Sequence, residues 1–253
     1  MALGRSLFAF LPTFLLAGGL LMLFLYFLGG ISDVTPLNRM WYVRVGEPDV
    51  GFAWTIWNVC TYGGGSVYNC TTPMPDYAFQ PELILEASAI PEIYIGGNSH
   101  YYYLSRFTWP FFLLALAFCS FAFIFSMLSF CSRLASYIIA VLISIGLVFD
   151  VIASSILVAL AVQARNAFVD AGMDSSISVY AIAFSWTSVA CFLLAAIGYC
   201  QAGKFGKGSK RNQFAVTTPP DPNLGRPSRR MFFRSKKAAN KNLFDQQSQA
   251  TAV

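Results

Sequence analysis

Two cysteines, one isolated aspartate and a run of lysines and arginines are the residues of this 253-residue chain with the most distinctive chemistry. Cys60 and Cys70 have nine residues between them, a spacing that suits a disulfide between neighbouring strands. Closing so short a loop contributes roughly 2–3 kcal/mol; two free thiols are the alternative. A zinc site is disfavoured, because His100 is the only further soft ligand within reach. Asp150 interrupts a long apolar run, where a carboxyl is costly and marks a functional site by default. The chain has one His and no H-E-x-x-H, G-x-S-x-G or phosphate loop. Gly203 to Gly208 is glycine-rich without matching such a loop. No catalysis, cofactor, metal or small-molecule substrate is therefore expected.

The elements that position these residues follow from composition. Only 11% of the chain is charged and 56% is hydrophobic, with a mean hydropathy of +0.56. An ordinary soluble domain carries about 25% charged residues, so a cytosolic enzyme is excluded. A bilayer crossing takes about 20 apolar residues, and four stretches qualify. They are residues 7–31, 107–132, 134–164 (broken only by Asp150) and 175–200. A four-transmembrane-helix bundle is expected. A cleaved signal peptide is the alternative for the first stretch, but its apolar run exceeds the about 7–15 residues of a signal core.

The basic residues set the orientation. With residues 1–6 and 201–253 inside, the inner side holds Arg5, Arg133 and all eleven basic residues of the tail. The outer side then holds Arg39, Arg44, Arg106 and Arg165, together with nine of the 12 acids. The positive-inside rule favours this arrangement, leaving residues 32–106 as a long outer loop and 165–174 as a short one. Counting at about 1.5 Å per residue from Leu134 puts Asp150 about 24 Å from the inner end. At that depth the fourth helix offers Ser185, Thr187 and Ser188. Hydrogen bonding to these hydroxyls makes Asp150 a fastener between helices three and four; a pore residue is the rival reading. Small residues, among them Gly18, Gly19, Gly29, Gly30, Ala190 and Gly198, suit close helix packing.

The long loop is too aromatic to be a linker. Met40–Val45, Phe52–Tyr62 and Ser66–Thr72 are expected as strands, with Gly63-Gly64-Gly65 as a turn between the last two. A small extracellular antiparallel sheet follows. On that side the environment is oxidising, which favours the Cys60–Cys70 bridge. Asn69-Cys70-Thr71 is a formal glycosylation sequon whose middle residue is one of these cysteines.

Trp41, then Trp54-Thr55-Ile56-Trp57-Asn58-Val59-Cys60, then Cys70 resemble the claudin-type signature W…W-x-x-C-x(8–10)-C. Thr55-Ile56 stand where animal claudins carry Gly-Leu. Within that superfamily the chain, over residues 1 to about 205, looks most like the fungal cortical-patch (eisosome) tetraspan proteins grouped with the PalI pH-response membrane proteins. The resemblance implies a multi-pass plasma-membrane protein, structural rather than catalytic, that organises a lateral membrane domain and supports cell-wall integrity. It also implies protein partners in that domain, a second copy included. A PalI-like signalling accessory and a channel subunit are the alternatives.

The tail is polar and expected to be disordered when free. Lys204, Lys207, Lys210 and Arg211 follow the membrane directly. Arg226, Arg229, Arg230, Arg234, Lys236, Lys237 and Lys241 form a second group, interleaved with Phe232, Phe233 and Phe244. Each basic residue near an anionic leaflet contributes about 1 kcal/mol, so anionic inner-leaflet lipids are the expected partner and nucleic acid is not. Cys131 and Cys200, at the inner ends of helices two and four, are candidates for palmitoylation, with unmodified thiols as the alternative.

Overall fold

A computed structural model describes residues 2–32, 34–47, 49–85, 90–95, 100–126 and 133–205. Four helices dominate: α1 (Ala2–Phe27), α2 (His100–Ser126), α3 (Arg133–Asp170) and α4 (Val179–Phe205). Each contains a stretch long and apolar enough to cross a membrane. α3 packs along both α2 and α4, α4 packs along α1, and α1 meets α2 less extensively. Glycines set the closest approaches. A side chain at Gly19 would strike Phe192, one at Gly146 would strike Cys119, and one at Gly198 would strike Pro12. Gly18 and Ala190 instead point out of the bundle, contrary to the packing role expected of them.

The helix ends depart from the apolar stretches. α1 stops at Phe27 rather than at Ile31, because Gly29 and Gly30 turn away. Gly30 has φ +86°, and its α-carbon lies so close to Thr55 that any β-carbon would overlap that side chain. These two glycines seat the outer loop instead of packing helices. α2 begins at His100, seven residues before the uncharged run, since Tyr101 and Ser105 bury themselves against the loop. α3 continues past Ala164 to Asp170 because Ala164 and Phe168 keep the helical apolar face going beyond Arg165. The expected short loop 165–174 is thus mostly helix end.

The loop between α1 and α2 forms most of a sheet. Strands β1 (Val43–Gly46), β2 (Gly51–Trp54), β3 (Val59–Gly63), β4 (Ser66–Tyr68) and β5 (Ser175–Ile177) pair antiparallel in the order β4-β3-β2-β1-β5. The strand expected over Phe52–Tyr62 is two strands, parted by a tight turn at Thr55–Asn58. β5 was not expected: the start of the fourth apolar stretch pairs with β1, and α4 begins only at Val179. Gly63 pairs with Ser66, leaving the two-residue turn Gly64-Gly65 with φ +60° and +86°. Positive φ at both positions is the twist-matched hairpin geometry that glycine adopts without strain.

The sheet has two buried faces. Val43, Val45, Trp54 and Val59 continue the bundle core upward, joined by Phe79 and Tyr94. On the other face Trp41 covers Ala53, Cys60 and Val67, with Tyr62 and Cys70 alongside. Alternation along the strands separates Val43, Val45, Trp54 and Val59 from Ala53, Cys60 and Val67, since successive side chains point to opposite faces; Trp41 precedes β1 and reaches the second face from outside the strand.

Candidate functional site

The residues of the tryptophan–cysteine signature build the seat of the sheet. Thr55 opens the β2–β3 turn because its hydroxyl accepts from the backbone N–H of Trp57 (3.2 Å) and of Asn58 (3.1 Å). The same hydroxyl lies 2.7 Å from Asn58 Oδ1 and donates to it, and Thr55 N–H donates to the Asn58 carbonyl at 2.9 Å. Such local side-chain bonds let a Thr nucleate a turn without glycine or proline. Asn58 is fully buried. Its Nδ2 donates to the carbonyls of Gly30 (2.9 Å) and Thr71 (3.3 Å). One side-chain amide therefore holds the end of α1, the β2–β3 turn and the strand end beyond Cys70.

Trp57 keys the turn into the bundle. Its indole N–H donates to the Phe27 carbonyl, one of the carbonyls left open at the end of α1. Its ring meets Phe27 edge-on at 5.3 Å and Trp109 of α2 at 5.6 Å. Trp54, with no exposed surface, packs on Phe79 at 5.1 Å, and Trp41 packs on Tyr62 at 5.2 Å. All three signature tryptophans serve the interior.

Cys60 and Cys70 form a disulfide with Cα atoms 3.9 Å apart. The register explains how they meet. Thr61 pairs with Tyr68, whereas Thr71 N–H bonds to the Val59 carbonyl, so one extra residue lies on the second strand. That residue is Asn69, with φ +48° and an exposed side chain. Asn tolerates this left-handed conformation better than most residues. The sequon asparagine thus makes a bulge that sets Cys70 opposite Cys60.

Arg44 is the site residue that sequence reasoning missed. It lies on the same sheet face as Trp41, in β1, and is 6% exposed. Its Nε donates to Ser176 Oγ (2.8 Å) and an Nη donates to Asp174 (3.2 Å). The guanidinium stacks on Tyr62 at 5.0 Å, an arrangement available to Arg and not to Lys. Ser175 Oγ donates to the Arg44 carbonyl at 2.7 Å, and Gly46 N–H donates to the Asp174 carbonyl at 2.9 Å. Arg44 therefore fixes the α3–α4 connection to the α1–α2 loop. The available signal was a charge set between two valines of a strand.

Nearer the membrane, Arg106 of α2 faces Asp76 at 3.6 Å and stacks on Tyr102 at 4.8 Å. Partial burial raises the Asp76 carboxyl above its ordinary range, and Arg106 opposes that. Tyr42, beneath the sheet, is held un-ionised well beyond the usual phenol range by its burial.

Inside the bundle Asp150 is fully buried, and Ser188 Oγ donates to its Oδ2 at 2.8 Å. One helical turn further along α3, Ser154 bonds Ser185. Thr187, expected beside Asp150, is exposed on the opposite face of α4 and does not join. Ser185 and Ser188 are three residues apart and share a face; Thr187 does not. Ser154, four residues after Asp150, was missed though its spacing puts it on the same face. Cys200 is exposed near the C-terminal end of α4. Lys204 falls in the last turn of α4. Cys131 and the basic residues from Lys207 to Lys241 lie outside the described residues. No cluster of three or more metal-ligating side chains occurs among the described residues.

Four apolar helices capped by a five-stranded, disulfide-locked sheet that is keyed into the helix ends define a multi-pass membrane protein. The sequence pattern of the SUR7/PalI family matches residues 8–198, and the chain belongs to that family. It is 35% identical over 197 residues to Protein SUR7 of Candida albicans, covering 75% of this chain and 72% of that protein. It is 32% identical over 181 residues to Protein SUR7 of Saccharomyces cerevisiae, covering 69% and 60%. The SUR7 family protein FMP45 of the same yeast is 31% identical over 197 residues, covering 73% and 62%. The chain thus spans under two thirds of the length of the two baker's yeast relatives.

Proposed function

We propose that this protein is a structural plasma-membrane tetraspan that organises a lateral membrane domain of the cortical-patch type, with both termini in the cytoplasm. The observation that carries the reading is the spending of polar chemistry on rigidity. Asn58, Thr55, Trp57, Arg44 and the disulfide all bond inward, and they make a fixed platform on the bundle. A platform of this kind suits protein contact in the membrane plane and offers no catalytic constellation among the described residues. The basic tail supplies the second contact, through anionic inner-leaflet lipids.

Imaging a fluorescent fusion of the full chain tests this reading. Stable, slowly recovering cortical patches after photobleaching support it; uniform, freely diffusing fluorescence refutes it. The family description also covers PalI proteins, which favours a second reading as an accessory of ambient-pH signalling. Deletion separates the two: loss of an ambient-pH response with patches elsewhere intact points to signalling, and loss of patches with a normal pH response points to organisation.

A further inference from the structure

Two asparagines of the loop between α1 and α2 begin triplets that an oligosaccharyltransferase can read. Asn58-Val59-Cys60 is the rarer Asn-x-Cys form, and Asn69-Cys70-Thr71 is the Asn-x-Thr form. The fold separates them. Asn58 is fully buried, and its Nδ2, the atom that would carry a sugar, already donates to two carbonyls. Asn69 is exposed, and its side chain makes no hydrogen bond to any described residue. It follows β4 at the edge of the sheet, so no further strand stands in the way of a glycan, and residues 71–75 beyond it are all exposed.

The bulge does not by itself require this residue. At φ +48° Gly or Asp would serve as Asn does, yet only Asn followed two residues later by Ser or Thr makes a surface acceptor of this kind. In the folded chain Thr71 Oγ1 accepts from Val59 N–H at 3.4 Å, the Thr71 side chain bonds Tyr77, and Cys70 is held by Cys60. A transferase needs the triplet extended and that hydroxyl free. The sugar therefore goes on before the sheet and the bridge close.

We propose that Asn69 is an N-glycosylation site, modified on the nascent chain before Cys60 and Cys70 join. The donor is an oligosaccharide carried on a polyprenyl diphosphate. The bond from C1 of its first sugar to the diphosphate oxygen breaks, a bond from C1 to Asn69 Nδ2 forms, Nδ2 gives up a proton, and the lipid diphosphate leaves; nothing is oxidised or reduced. The proposal rests on the reading that both termini are cytoplasmic, which puts this loop in the secretory lumen, where such donors act.

Endoglycosidase H digestion of the full chain expressed in baker's yeast tests it. A downward mobility shift of one glycan is expected, with a single N-acetylglucosamine left on Asn69 in the peptide map. Asn69→Asp, which keeps a residue suited to the bulge, and Thr71→Val should each abolish the shift, and Thr71→Ser should keep it. No shift in the parent, or a shift that survives Asn69→Asp, overturns the assignment. Cys70→Ser should be occupied at least as fully as the parent; lower occupancy overturns the order of events. The orientation is checked apart from the site. In the Asn69→Asp background, Gly64→Asn completes an Asn-Gly-Ser triplet in the hairpin turn, where φ is +60° and an added β-carbon meets nothing within 4 Å. A shift from that triplet with none in the parent overturns the site and leaves the orientation standing; no shift from either overturns both.

Discussion

Replacing Asn58 by Ala removes a single side-chain amide and opens three connections at once. The Gly30 carbonyl loses its donor at 2.9 Å and the Thr71 carbonyl loses one at 3.3 Å. Thr55 Oγ1 loses its acceptor at 2.7 Å but keeps the Asn58 backbone carbonyl at 3.1 Å, so that bond is replaced more than lost. A buried group left unsatisfied costs about 1–3 kcal/mol. The Gly30 carbonyl should incur most of that range, whereas Thr71 is exposed and its carbonyl can bond to water instead. The expected total is about 1–3 kcal/mol. Thr55→Val removes the hydroxyl that accepts from two backbone N–H groups and should cost about 1–3 kcal/mol on the same principle. Because the two side chains bond each other, the double variant should be less destabilised than the sum, by about 0.5–3 kcal/mol. The assay is unfolding of the full chain from mild detergent with a denaturing one, read together with limited proteolysis of the outer domain. Proteolysis should quicken at the sheet while the four helices stay protected. A cost under about 1 kcal/mol for Asn58→Ala, or simple additivity with Thr55→Val, would refute the idea that this amide seats the sheet.

Other perturbations follow the same logic. Cys70→Ser should cost about 2–3 kcal/mol, from the short loop that the bridge closes, and non-reducing peptide mapping should show the Cys60–Cys70 link in the parent. Arg44→Lys should destabilise by about 1–3 kcal/mol in the same detergent assay, below the about 3–5 expected when a broken pair strands a buried charge, because Asp174 is half-exposed and can rehydrate; a neutral result would remove Arg44 from the site. Asp150→Asn keeps the bond to Ser188 and should leave folding and localisation nearly intact. Asp150→Leu should cost about 0.6–2 kcal/mol, and an Asn variant that folds but does not function would favour the channel reading. A peptide covering Arg226 to Phe244 should bind vesicles containing phosphatidylserine and release as salt rises; equal binding to neutral vesicles would reject lipid reading by charge.

The four helices were legible because hydropathy over 20 residues overwhelms local detail. Their ends were not, because membrane thickness does not limit a helix that continues into a folded domain; α2 and α3 gain turns from Tyr101, Ser105 and Phe168, whose burial partners come from the loop. The Phe52–Tyr62 segment reads as one strand by composition, and only the bonds of Thr55 and Asn58 break it. β5 was hidden inside an apolar stretch, since three residues carry no period of their own. Depth along a helix is countable from sequence, so Ser185, Thr187 and Ser188 all fell beside Asp150. Azimuth at about 100° per residue selects among them, and it turns Thr187 outward while bringing Ser154 in. Arg44 was illegible as a clamp because its partners, Asp174 and Ser176, lie 130 and more residues away.

Much of the tryptophan–cysteine signature is buried: Trp54 exposes nothing and Trp41 only 7%, while Trp57 and Cys70 are half-buried. Residues so enclosed can specify how the outer domain sits but cannot touch a partner. What a partner would meet is different chemistry, including Val50 and Leu83, each 72% exposed, and Ile93 and Tyr68 at 55% and 45%. Exposed apolar groups of this size on a loop domain contribute little to its own stability, so they are free to vary without disturbing the seat. The same framework of Asn58, Trp57, Arg44 and the disulfide can therefore hold different exposed surfaces on one seat. Exchanging these exposed residues should change what the protein associates with while its folding is preserved, and exchanging the buried signature should do the reverse.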